Sequence, residues 1–108
     1  MADAEITCVT HHGNLASIHN QGEQSFINNL IRKKYQRNAY AWIGLYDAIQ
    51  EGKWLWTDGS KVDFTYWAQG EPSNYRGREH CTMIYSSGNR WNDVPCSLQQ
   101  SFVCAKKL

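Results

Sequence analysis

The chain has 108 residues and a formal net charge of +1, enough for one domain and without the basic footprint of a nucleic-acid binder. No apolar run approaches the roughly 20 residues that span a bilayer, so membrane insertion is not expected. Met1-Ala2-Asp3 lacks the basic start and apolar core of a secretory leader.

Ala2 to His12 reads as a helix with Ala4, Ile6, Cys8 and Val9 on an apolar side, and Gly13 as its stop. His11 and His12 then sit at its negative end as capping and surface residues. Leu15 to Ile18 is a short apolar segment. Gln21 to Lys34 predicts a second helix from the spacing of Phe26, Ile27, Leu30 and Ile31, closed by Arg32-Lys33-Lys34 in the favoured charge sense. Ala39 to Leu45, Trp54 to Thr57, Met83 to Tyr85 and Ser101 to Cys104 read as strands from their β-branched and aromatic content. Helices first and short strands after make an α+β domain. An irregular stretch as long as Asp58 to Cys81 is usually functional or disordered, and Phe64, Tyr66 and Trp67 argue against disorder.

Four cysteines in a small, aromatic-rich chain favour a disulfide framework, with three pairings open. Structural zinc is the rival. It has no Cys-x-x-Cys pair, and His11 and His12 beside Cys8 find no second pair to complete a tetrahedron. Between Gly70 and Asp93 the chain concentrates Glu71, Ser73, Asn74, Glu79, Asn92 and Asp93. Calcium takes about six to eight oxygens in a flexible geometry, and such a loop supplies them. The spacing is not that of an EF-hand, so the fold must assemble the site.

These residues resemble a family, the C-type lectin-like domain. Trp42-Ile43-Gly44-Leu45, Trp54-Leu55-Trp56-Thr57-Asp58-Gly59, Phe64 with Trp67, Glu71-Pro72, Glu79-His80-Cys81, Trp91-Asn92-Asp93 and Phe102-Val103-Cys104 match its landmarks in order across essentially the whole chain. Ala4-Glu5 to Cys8, then Gly13 to Ile18, are similar to its first helix and following strand. Family members begin with a strand or two ahead of that helix, whereas this chain begins inside it. An edge available for pairing between chains is the consequence expected. The resemblance implies disulfides Cys8–Cys104 and Cys81–Cys96. Loop closure puts their worth at roughly 4–5 and roughly 3 kcal/mol.

For the site, the resemblance implies a calcium ion held by Glu71, Glu79, Asn92 and Asp93, with Ser73 where the family has Asn, and a cis Pro72. A sugar would then bind through two neighbouring hydroxyls, each touching the ion and one of the same side chains. Ser73 is shorter than Asn and carries one hydroxyl in place of a carbonyl and an amide. Glu71 leans toward mannose- or fucose-type sugars rather than galactose. Asp47, Glu51 and Asn74 would form an accessory calcium site, with His80 standing where an acid commonly completes it. Trp42, Trp54, Trp56 and Trp67 are expected in the core, and Trp91 beneath the loop.

The function implied is calcium-dependent carbohydrate binding without catalysis, by a secreted protein whose avidity for glycans would grow in a homo-oligomer. The alternative is an interaction module of the same fold that binds a protein or a surface such as ice. Glu71, Glu79 and Asp93 show no nucleophile and base arrangement that would make an enzyme.

Overall fold

The computed structural model describes residues 1–36, 39–85 and 90–106. Helix α1, Ala2–Thr10, buries Ala4 and Cys8, one i, i+4 pair, while Ile6 and Val9 stand 62% and 54% exposed. Its apolar side is thus narrower than the composition suggests. The helix closes at His11, and His12 takes the left-handed turn at φ 68°. Gly13 is therefore not the stop. It opens strand β1, Gly13–Leu15, where a Cβ would collide with the Ala105 carbonyl oxygen.

Helix α2, Gln21–Tyr35, buries Gln24, Ile27, Asn28 and Ile31, the i, i+3, i+4, i+7 pattern of one face. Phe26 and Leu30, expected on that face, are 67% and 44% exposed. Each lies roughly 100° round the helix from Ile27 and Ile31, so the apolar spacing alone chose too wide a stripe. Asn20 caps the start by accepting the Glu23 N–H at 2.9 Å, and Glu23 reaches back to accept the His19 N–H at 2.7 Å.

The main sheet is built on β2, Tyr40–Tyr46. Strands β3, Leu55–Trp56, and β4, Cys81–Tyr85, pair antiparallel with it, and β5, Trp91–Val94, extends the sheet beyond β4. Strand β6, Ser101–Phe102, lies parallel to β2, whereas β7, Cys104–Lys106, pairs antiparallel with β1 in a second sheet. The one strand expected from Ser101 to Cys104 is thus two. Buried Val103 makes the hand-over: its carbonyl accepts the Ala16 N–H at 2.8 Å, and its own N–H reaches Trp42 O at 3.4 Å.

Two disulfides, Cys8–Cys104 and Cys81–Cys96, close loops of 96 and 15 residues. The first ties α1 to β7; the second ties β4 to the segment after β5. Trp42, Trp56 and Trp91 are fully buried, and Trp54 and Trp67 pack half-buried against the core with ring centroids 4.8 Å apart. Gly44 sits where β2 passes the β1 segment: a Cβ there would come within 2.7 Å of Thr57 Oγ1 and 2.9 Å of Leu15 O.

Between Asp58 and His80 the chain forms no named strand, and it is pinned at its start and again near its middle. At its start, His19 places Nδ1 2.7 Å from Asp63 Oδ1 and Nε2 3.0 Å from Ser60 Oγ. Asp58 receives the Ser17 and Ser60 hydroxyls at 2.6 and 2.5 Å. Burial opposes its charge, yet these bonds hold its carboxyl below the ordinary range. Further on, Trp91 donates its N–H to Tyr66 O at 3.0 Å and accepts the Ala68 N–H at 2.9 Å. The loop is stitched directly to β5.

Candidate functional site

The same strand builds the site. Asp93, two residues beyond Trp91, is 2% exposed and turns both carboxylate oxygens on the loop. Oδ1 accepts the Ser73 N–H at 2.8 Å, and Oδ2 accepts the Asn74 N–H at 2.6 Å. Such charge-assisted bonds are among the stronger ones in proteins. They fold the chain back immediately after the cis Glu71–Pro72 bond. Asn74 sits in the left-handed region at φ 46°, which Asn tolerates better than most residues. From there its Oδ1 accepts the Glu79 N–H at 3.2 Å.

Three carboxylates converge as a result. Oxygen atoms of Glu71, Glu79 and Asp93 lie within 4.8 Å of one another. The Ser73 hydroxyl stands among them, 2.8 Å from Glu79 Oε1, 3.3 Å from Glu71 Oε1 and 3.4 Å from Asp93 Oδ1. Glu79 Oε1 also accepts the Tyr75 N–H at 2.8 Å. Burial, then the hydrogen bond to Asp93 and the Asp93 charge, push the Glu71 carboxyl up to about 7, with Glu79 adding and the Ser73 hydroxyl opposing. Like charges this close resist joint ionisation, and a hard divalent cation between them removes the conflict. The donor set therefore fits such an ion.

Of the residues expected at the site, Glu71, Ser73, Glu79 and Asp93 are brought together. Asn92 lies half-buried in β5 beside Asp93, opposite Met83 of β4. Asn74, expected at an accessory site, accepts the Glu79 N–H and so helps position Glu79. Tyr75, 64% exposed, carries the Arg76 guanidinium 5.2 Å from its ring centroid at the rim.

Asp47 and Glu51 form a second cluster, completed by His80. His80 Nδ1 lies 3.1 Å from Asp47 Oδ1 and 3.3 Å from Glu51 Oε1. Burial works against the charged ring, but hydrogen bonds to Asp47 and Gly77 with the two carboxylates raise its pKa overall.

Trp91 is buried beneath the loop, where the resemblance put it, but nothing in the sequence signals its partner on α2. The Trp91 indole N–H donates at 2.7 Å to Oε1 of Gln24, a polar member of the α2 face that also carries Ile27 and Ile31. Trp91 meets Trp56, Phe64 and Trp67 edge-on, with centroids 5.8, 6.0 and 5.8 Å away.

The model of the lectin C-type domain family matches residues 1–106. The galactose-specific lectin nattectin of Thalassophryne nattereri is 46% identical over 99% of this chain and 67% of its own length. Further curated lectins are spanned over about half their length. Among solved structures, the C-type lectin CEL-I of Cucumaria echinata superposes with a TM-score of 0.90 at 33% identity, covering 95% of this chain and 79% of that one. A calcium-independent type II antifreeze protein gives 0.86 at 32%, covering 97% and 76%. The disulfide pattern, the stitched loop and the match along the chain have one reading: this protein belongs to the C-type lectin domain family.

Proposed function

We propose that the domain binds carbohydrate through a calcium ion held by Glu71, Ser73, Glu79, Asn92 and Asp93. The observation that carries this is the convergence of three carboxylates around the Ser73 hydroxyl, on a loop that buried Asp93 holds by two backbone N–H groups. Bound calcium would supply a positive centre for sugar hydroxyls. Glu71 and Glu79 would accept hydrogen bonds from those hydroxyls, and Ser73 would accept or donate one. Glu71 as the acceptor ahead of residue 73 favours mannose- or fucose-type sugars, while the name of nattectin favours galactose.

Calorimetric titration with calcium, then mannose and galactose in calcium, tests this. Calcium binding followed by binding of either sugar supports the lectin reading, and the better sugar fixes the selectivity. Disulfide-bonded protein that binds no calcium overturns it.

A calcium-independent interaction module is the second reading, favoured by Ser73 and by the likeness to the antifreeze protein. Among the described residues no helix is long and apolar enough to cross a membrane. Secretion fits the two disulfides, and a single open site of this kind would gain avidity from presentation in several copies.

A further inference from the structure

We propose that the glycan read at the Ser73 loop is an acidic one, its sulfate ester or carboxylate taken by Arg76 and Arg78 beside the ion. This rests on the lectin reading of the site and names the class of sugar it selects.

Both arginines stand on a turn that Glu79 holds. The Tyr75 N–H donates to Glu79 Oε1 at 2.8 Å, the Gly77 N–H to Asn74 O at 2.9 Å and the Arg78 N–H to Tyr75 O at 3.2 Å. Asn74, Arg76 and Gly77 all take left-handed backbone, at φ 46°, 56° and 67°. An arginine seldom adopts that region, so these bonds impose the turn and fix where its side chains start. The Arg76 guanidinium then lies 5.2 Å from the centroid of the exposed Tyr75 ring, a cation set over an aromatic face.

Neither guanidinium is neutralised. Arg76 and Arg78 are exposed, and among the described residues no carboxylate lies within 4 Å of either. Glu79 adjoins Arg78 in the chain, yet its Oε1 is taken by the Ser73 hydroxyl and the Tyr75 N–H, each at 2.8 Å. Through that shared oxygen the turn borders the carboxylates proposed to hold calcium. A neutral sugar has no charge to set against two guanidinium groups. An oxyanion does, and the planar fork of arginine matches its oxygens two at a time. A sugar seated on the ion by two hydroxyls keeps other ring positions free to present such a group to the turn.

Mannose, mannose 6-sulfate and mannuronic acid, and the three matching galactose compounds, are titrated calorimetrically into the disulfide-bonded chain. Each is measured in calcium and in chelator, at low and at high sodium chloride. An acidic sugar should bind about fivefold or more tighter than its neutral parent at low salt, only in calcium, with the gap closing at high salt. Preference for either acid supports the proposal and identifies the group. The ratio of acidic to neutral affinity should fall toward one when Arg76→Gln and Arg78→Gln are combined. Arg76→Lys, which keeps the charge without the fork, should retain part of it. The calcium affinity of each variant reports whether the site itself survives. Calcium and neutral-sugar binding with no acidic preference overturns this proposal and leaves the lectin reading standing. A chain that binds no calcium overturns that reading and this proposal with it. An acidic preference that persists in chelator, or in the doubly substituted chain, also overturns it.

Discussion

The Trp91 indole donates its N–H to Gln24 Oε1 at 2.7 Å, joining two side chains at 0% exposure and 67 positions apart. Trp91 opens β5, its backbone holds Tyr66 and Ala68, and its neighbours in the chain are Asn92 and Asp93. Helix α2 thus supports the proposed calcium site from below through one buried polar contact.

Replacing Gln24 by Met keeps the volume but leaves the indole N–H buried without an acceptor. The expected loss is about 1–3 kcal/mol in urea unfolding. Calcium affinity should fall as well, since β5 carries two of the proposed ligands. Unchanged stability would mean that the indole finds another acceptor.

Asp93→Ala removes a carboxylate with two jobs. Both backbone N–H groups of the loop, Ser73 and Asn74, lose their acceptor. Each such bond to a charged group contributes roughly 1.5–3 kcal/mol. The variant should bind no calcium and should be cleaved by protease within the loop faster than the parent. A variant that loses calcium but keeps the parent's cleavage rate would show that the loop holds itself.

How far residues reveal this site depends on which forces act locally. Trp42, Trp56 and Trp91 are legible as core because a ring that size needs burial. The ligand cluster is legible as a concentration of oxygen donors between Gly70 and Asp93. Gln24 and Asn28 are not, because polar residues inside a helix face normally mark solvent, and the partner of Gln24, Trp91, lies far away in sequence. Asn74 illustrates the same limit: the residue type does not reveal that its side chain also holds the Glu79 backbone N–H from the turn it occupies. Ile6 and Phe26 err the other way, since apolar spacing cannot say how wide a stripe the neighbouring sheet will cover.

Ser73→Asn lengthens the residue at the centre of the carboxylate cluster and replaces a hydroxyl by a carbonyl and an amide. An added oxygen ligand should tighten calcium by about tenfold, equivalent to roughly 1.4 kcal/mol. The amide donor beside the Glu71 acceptor should shift selectivity toward mannose and away from galactose. Calorimetry with both sugars reads the two effects separately. Unchanged calcium affinity would mean that Ser73 already ligates as well as Asn does.

The last prediction follows from Glu71, whose carboxyl stands at about 7 against an ordinary 4.5, through burial first and then Asp93. Before calcium binds, the folded state holds this proton more tightly than the unfolded chain. Glu71 therefore contributes stability that is fully present below 4.5 and is lost as pH rises through about 7. In chelator, the urea midpoint of the parent should fall relative to Glu71→Gln between about pH 4 and about pH 8. The raised His80 and Glu51 and the lowered Asp58 and Asp63 remain in both proteins, so they cancel in the difference. Calcium reverses the sign, because it competes with the proton. Its affinity should weaken by up to about tenfold per pH unit below 7, with a proton released on binding that buffers of different ionisation enthalpy would register. Parallel midpoint curves for the two proteins, with no proton release, would place Glu71 outside the ion's reach.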